Sequence, residues 1–166
     1  MNQYIDKLCF LISFGKHKTE KQIKSLEFIR TYTGINFHIF NPQPEEINIE
    51  DIGHSLSMQC RFNSHTSIFY SVASHSILAS EIAKEEFKFE AFCHDFAEAF
   101  FSDVPTPAKR RLKDVIKLEE NITIAINKKY NLPYPMSKEV KDIDKLLFKM
   151  EEQITNCLFL KGLEDI

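Results

Sequence analysis

The 166-residue chain lacks an excess of positive charge: 21 Lys and Arg stand against 24 Asp and Glu, for a formal net charge of -3. That leaves no broad basic surface for winding around nucleic acid, and stable nucleic-acid binding is not expected. Cysteine is sparse and scattered, at Cys9, Cys60, Cys93 and Cys157, with neither a paired metal-knuckle spacing nor a dense disulfide pattern. Cytoplasmic thiols are the simpler expectation. Long apolar runs are missing too. The run LCFLISF, Leu8 to Phe14, is short, follows Asp6 and Lys7, and leads into no small-residue cleavage site. Neither a signal peptide nor a membrane span is expected from it. The chain shows no internal repeat and no low-complexity tract, and no histidine follows His94.

What is present is a chain 43% hydrophobic and long enough for one compact domain. The apolar spacing of Ile23, Leu26, Phe28 and Ile29 suggests an amphipathic helix in an N-terminal extension over residues 1–30, ahead of a domain over 31–166. The prolines, asparagines and alternating apolar residues of GINFHIFNPQPEEINIED suggest a loop with a minor β-hairpin near residues 35–50. IEDIGHSLSMQCRF then begins a helix with acids in its first turn, where the helix dipole favours them. Further helices are expected over Ser71 to Lys84, Phe87 to Phe101, Lys109 to about Lys129, and Ser137 to about Lys161. The fold class expected is all-α, a helical bundle.

One stretch carries too much charge for its setting. FCHDFAEAFFSDVPTPAK places His94, Asp95, Glu98 and Asp103 among phenylalanines, although an unpaired buried carboxylate is costly. On a helix, Glu98 lies one turn beyond His94 and Asp95 on roughly the same face, so one site could use all three. A divalent metal would compensate the charges, and a mixed imidazole and carboxylate set suits manganese, iron, cobalt or zinc, with magnesium also allowed. Further ligands are offered by His75 on the preceding helix and by Asp142 or Asp144 on the last one. Periodicity alone leaves those two aspartates open.

The series SVASHS, CHDFAEAFFSDVPTPAK and DIDKLL resembles the HD-domain metal-dependent phosphohydrolases, and within them the bacterial 5'-deoxynucleotidases and related phage nucleotide hydrolases. The likeness runs from about Tyr32 to about Gln153. It implies an HD-domain helical bundle with one divalent cation held by His75, His94, Asp95 and Asp144, the last preferred for its place directly before KLL. It further implies that Glu98 and Asp103 position or activate water and assist proton transfer. Arg61 matches a basic residue that contacts the substrate phosphate, and His65 stands where the phage-like relatives carry a histidine. Lys109, just past the proline turn, is another candidate phosphate contact, or else the solvated start of the basic run KRR.

The resemblance also implies a small-molecule nucleotide substrate, no membrane association, and dimers or larger assemblies. The expected activity is release of phosphate from a deoxynucleoside 5'-monophosphate. A close variant removes triphosphate or pyrophosphate from a deoxynucleoside triphosphate, and a non-catalytic nucleotide-binding module is the alternative of another class. HD enzymes with two metals add histidines after the His-Asp pair, so a single metal is expected here. Alarmone hydrolases carry a Glu-Asp pair where this chain has Glu98 and Ala99. His75 precedes His94 by only nineteen residues, which requires a tight connection between their helices. His17, His38 and His54 have no supporting pattern.

Overall fold

A computed structural model describes residues 27–161, with side chains described to residue 152. The expected N-terminal extension lies, up to residue 26, outside the described residues. Its last positions are not helical. Ile29–Arg30 (β1) pairs antiparallel with Asn36–Phe37 (β2), in the register Ile29 to Phe37 and Arg30 to Asn36. The β-branched residues Ile29, Thr31 and Thr33 favour extended backbone. Gly34, at φ +90, supplies the left-handed turn that an L side chain resists, and its N–H donates to the Thr31 carbonyl at 3.0 Å. The hairpin therefore starts earlier than its composition suggested, because the apolar spacing ending at Ile29 also fits a helix.

The remainder is helical: α1 (Ile49–Met58), α2 (Val72–Ile82), α3 (Lys88–Cys93), α4 (Glu98–Phe101), α5 (Thr106–Lys109), α6 (Lys113–Tyr130) and α7 (Lys138–Lys161). The all-α class with a minor hairpin is what the structure has. Capping explains the main starts. Asn48 accepts from the Glu50 N–H, Ser71 from the Ser74 N–H and Ser137 from the Val140 N–H, each satisfying a donor that the first helical turn leaves free. At the other end of α6, Asn131 takes the left-handed conformation.

The single helix expected over Phe87 to Phe101 is divided. From Cys93 to Phe100 the backbone bonds step back three residues instead of four: Phe96 N–H to Cys93, Glu98 to Asp95, Ala99 to Phe96, and Phe100 to Ala97. This is 3₁₀ winding, which gives three residues per turn and stacks positions i and i+3 on one side. Asp95 and Glu98 have that spacing. The helix expected from Lys109 instead begins at Lys113 as α6, after the separate turn of α5 that ends at Lys109.

Two apolar clusters hold the bundle. Phe37, Ile52, Leu56, Val72, Phe96, Phe100, Ile122 and Ile126 form the larger one, with Phe37 and Phe100 stacked at 3.8 Å. Each such side chain contributes roughly 1.5–3 kcal/mol when fully buried. The smaller cluster is Ala79, Ala83, Ala91, Val140 and Leu147. Its short side chains let α2, α3 and α7 approach closely, which brings residues from all three to one place. Among the described residues, no helix is long and apolar enough to cross a membrane.

Candidate metal centre

His75 projects from the middle of α2, His94 and Asp95 follow α3, and Asp144 lies on α7. The imidazole Nε2 atoms of His75 and His94 are 3.2 Å apart. Asp95 Oδ2 stands 3.2 Å from His94 Nε2 and 3.6 Å from His75 Nε2. Asp144 Oδ1 stands 3.4 Å and 3.8 Å from the Nε2 atoms of His75 and His94. His75, His94 and Asp95 form a cluster that could hold a metal ion. Asp144 shares the site, whereas Asp142 is exposed.

The tautomers make the case for a cation. His94 Nδ1 lies 2.7 Å from the Ala91 carbonyl, which can only accept, so that nitrogen carries the proton. His75 Nδ1 lies 2.7 Å from Glu151 Oε1, and a carboxylate likewise accepts. Both Nε2 lone pairs then face one another at 3.2 Å and repel unless a proton or a metal lies between them. Donors bound to one ion at about 2.1 Å stand about 3.0 Å apart at right angles and about 3.4 Å apart at tetrahedral angles. The observed separations of 3.2 to 3.8 Å lie around the tetrahedral value. The donor set therefore fits a borderline divalent ion.

Without a metal, protons serve the same purpose. Burial would push both imidazoles down, yet His75 is held above its ordinary value by hydrogen bonds to Asp144 and Glu151. His94 is held well above its own by Asp95 and Asp144. In return both aspartates are lowered despite burial, Asp95 chiefly by His94, and Asp144 by its hydrogen bonds to the two imidazoles.

Glu98 is the group this balance leaves out. It is 6% exposed, and its Oε2 is buried without a hydrogen-bond partner among the described residues. Burial, followed by the nearby charges of Asp95 and Asp103, pushes its carboxyl up to about 9. Such a carboxyl is protonated at neutral pH and can give a proton. Asp103 is also raised, mainly by burial. It follows Ser102, whose φ of 82 and ψ of 157 are strained for any residue but glycine. Gln59 holds that turn. Its Nε2 donates to the Glu98 carbonyl at 3.1 Å, and its Oε1 accepts from the Asp103 N–H at 3.2 Å. Ser55 of α1 adds a bond from its Oγ to the Ala99 carbonyl at 2.8 Å.

The three candidate substrate contacts are placed differently. Arg61 is buried, with Nη1 3.5 Å from Asp95 Oδ2 and its other edge on Glu151. Lys109 donates to Glu119 Oε1 at 2.8 Å, yet its charge is still felt by Glu98 and Asp95. His65 is exposed, after three consecutive residues of positive φ, Phe62, Asn63 and Ser64. The structure does not bring it into the buried network.

Glu151, Tyr70 and Gln59 belong to the site but do not stand out in the sequence. Glu151 is seven residues, two helical turns, beyond Asp144 on α7, and this spacing is the signal that could have revealed it.

No protein-family model matches the sequence. Two bacterial proteins do resemble it. The uncharacterized protein YfdR of Escherichia coli (strain K12) is 43% identical over 128 residues, spanning 77% of this chain and 72% of YfdR. The uncharacterized protein RCAP_rcc00048 of Rhodobacter capsulatus is 31% identical over 140 residues, spanning 75% of this chain and 71% of that protein. At that identity and coverage, the chain belongs to the same family as YfdR.

Proposed function

We propose that this protein is an HD-domain phosphohydrolase that uses one divalent metal to release phosphate from nucleotides, with deoxynucleoside 5'-monophosphates as its substrates. The observation that carries the reading is the convergence of two imidazole lone pairs and two carboxylates beside a buried carboxyl with an unsatisfied oxygen. Two neutral imidazoles and two carboxylates carry formal charge -2, which balances a divalent ion held by His75, His94, Asp95 and Asp144. When bound there, such an ion lowers the pKa of a coordinated water and neutralises charge on phosphoryl oxygens.

The protein's own groups supply the rest. Glu98, held protonated, gives its proton to the leaving oxygen, and general acid help of this kind contributes typically ~10²–10⁴-fold. Asp103, held on its strained turn by Gln59, orients the attacking water. Arg61 turns Nη1 towards Asp95, where a phosphate oxygen could accept from it.

A second reading, removal of triphosphate from a deoxynucleoside triphosphate, draws on Lys109 and the Arg110 and Arg111 that follow it. Lys109 interacts electrostatically with Glu98 and Asp95, and the basic run it begins suits a longer phosphate chain. A panel of deoxy- and ribonucleotide mono- and triphosphates, incubated with manganese, cobalt or magnesium and resolved by product, tests both. Inorganic phosphate and nucleoside from a monophosphate support the first reading, and released triphosphate supports the second. If no nucleotide is cleaved with any metal, while Asp95→Ala still binds nucleotide as well as the parent, the enzyme reading fails.

A further inference from the structure

Glu151 is 5% exposed, and both oxygens of its carboxylate are engaged. Oε1 accepts from His75 Nδ1 at 2.7 Å and from the Tyr70 hydroxyl at 2.7 Å. Oε2 accepts from Arg61 Nε at 3.1 Å and forms an ion pair with Arg61 Nη2 at 3.1 Å. Three hydrogen bonds and one ion-pair contact thus engage both oxygens of the carboxylate. His75 and Arg61 have separate tasks in the proposed site, the one a metal ligand and the other a phosphate contact.

We propose that Glu151 is a positioning residue that couples the two halves of the site. Through Oε1 it keeps the proton of His75 on Nδ1 and so directs the Nε2 lone pair at the metal position. Through Oε2 it occupies the Nε and Nη2 edge of Arg61, so that Nη1 is the nitrogen turned towards Asp95. Tyr70 fixes the carboxylate from the side opposite the arginine's oxygen. Glu151 itself touches neither metal nor substrate. The inference rests on the metal-dependent reading above and adds to it a residue with a defined task.

Glutamine is the informative substitution, because a carboxamide has one accepting oxygen and cannot serve both sets of donors. Its NH₂ must face either His75 and Tyr70 or Arg61. In Glu151→Gln, manganese affinity measured by titration calorimetry is expected to fall 10- to 100-fold, the range typical of lost partners behind metal-binding imidazoles. Inorganic phosphate titrated into the manganese-saturated variant is expected to bind at least tenfold more weakly than to the manganese-saturated parent. Unchanged manganese affinity, or a loss of manganese affinity with phosphate affinity intact, overturns the coupling while leaving the metal centre standing. A parent that binds no manganese, cobalt or zinc overturns the metal reading itself and the inference with it.

A measurement on the parent covers the case in which Glu151→Gln does not fold. In the zinc-loaded protein, long-range ¹H–¹⁵N spectra are expected to show His75 protonated at Nδ1 and ligated through Nε2. Ligation through Nδ1 overturns the proposal.

Discussion

At the scale of single residues, the site is a problem of placing charge in an apolar bundle, and Glu98 shows what that placement does to stability. In the unfolded chain its carboxyl ionises near 4.5, and in the folded metal-free protein near 9. Between those values folding takes up a proton, so the contribution of Glu98 to stability is fully present below about 4.5 and is lost as pH rises through the folded value. Glutamine copies the protonated form without that proton uptake. Glu98→Gln is therefore expected to stabilise the metal-free protein at pH 7, by on the order of 2 kcal/mol in urea unfolding, a gain that vanishes near pH 4. The same variant is expected to lose ~10²–10⁴-fold in turnover, since an amide does not deliver a proton. A Glu98→Gln variant less stable than the parent at pH 7 would show that Glu98 is ionised and paired in the fold. His94 and Asp95 stood out in the sequence because they share an apolar stretch with Glu98 and Asp103, and His75 was a further ligand offered by the preceding helix. Glu151 did not stand out, since a glutamate near the end of a charged helix is ordinary until its partners are known.

At the scale of elements, α1, α2 and α7 were legible from first-turn acids and apolar spacing, and the structure adds the caps Asn48, Ser71 and Ser137. The division between α3 and α4 was not. Hydrophobic periodicity hardly separates 3.6 residues per turn from 3.0 over two turns, so Phe87 to Phe101 reads as one helix. Yet the tighter winding stacks Asp95 with Glu98, and the strained turn at Ser102 then carries the chain to Asp103. Strain at that turn costs of order 1–3 kcal/mol for a residue other than glycine. Ser102→Gly is expected to raise the urea midpoint by an amount worth about 1 kcal/mol, because the exposed Ser102 gives up little when its side chain is removed. A lower midpoint would mean that the serine side chain contributes a stabilising contact. The hairpin was misjudged for a related reason: four apolar residues ending at Ile29 satisfy helical spacing, and only the partner strand decides the matter.

At the scale of the whole molecule, the cluster that could hold a metal forms because α2, α3 and α7 approach closely across Ala79, Ala83, Ala91 and Val140. The chain distance from His75 to Asp144 is long, and no local pattern announces that these helices meet. A resemblance to a known family supplied what periodicity could not. The packing makes a testable connection between core and site. Ala79→Leu inserts a side chain into a fully packed interface and is expected to destabilise the protein by about 1–3 kcal/mol. By moving α2 against α7 it should also shrink the rise in melting temperature that manganese gives the parent, an effect of ligand binding to the folded state alone. An undiminished manganese shift in Ala79→Leu would show that the site does not depend on this packing. The most direct test of the central claim is anomalous diffraction from crystals grown with manganese. One peak is predicted, within about 2.3 Å of His75 Nε2, His94 Nε2 and a carboxylate oxygen each of Asp95 and Asp144. A peak elsewhere, or none at that position, would contradict the account.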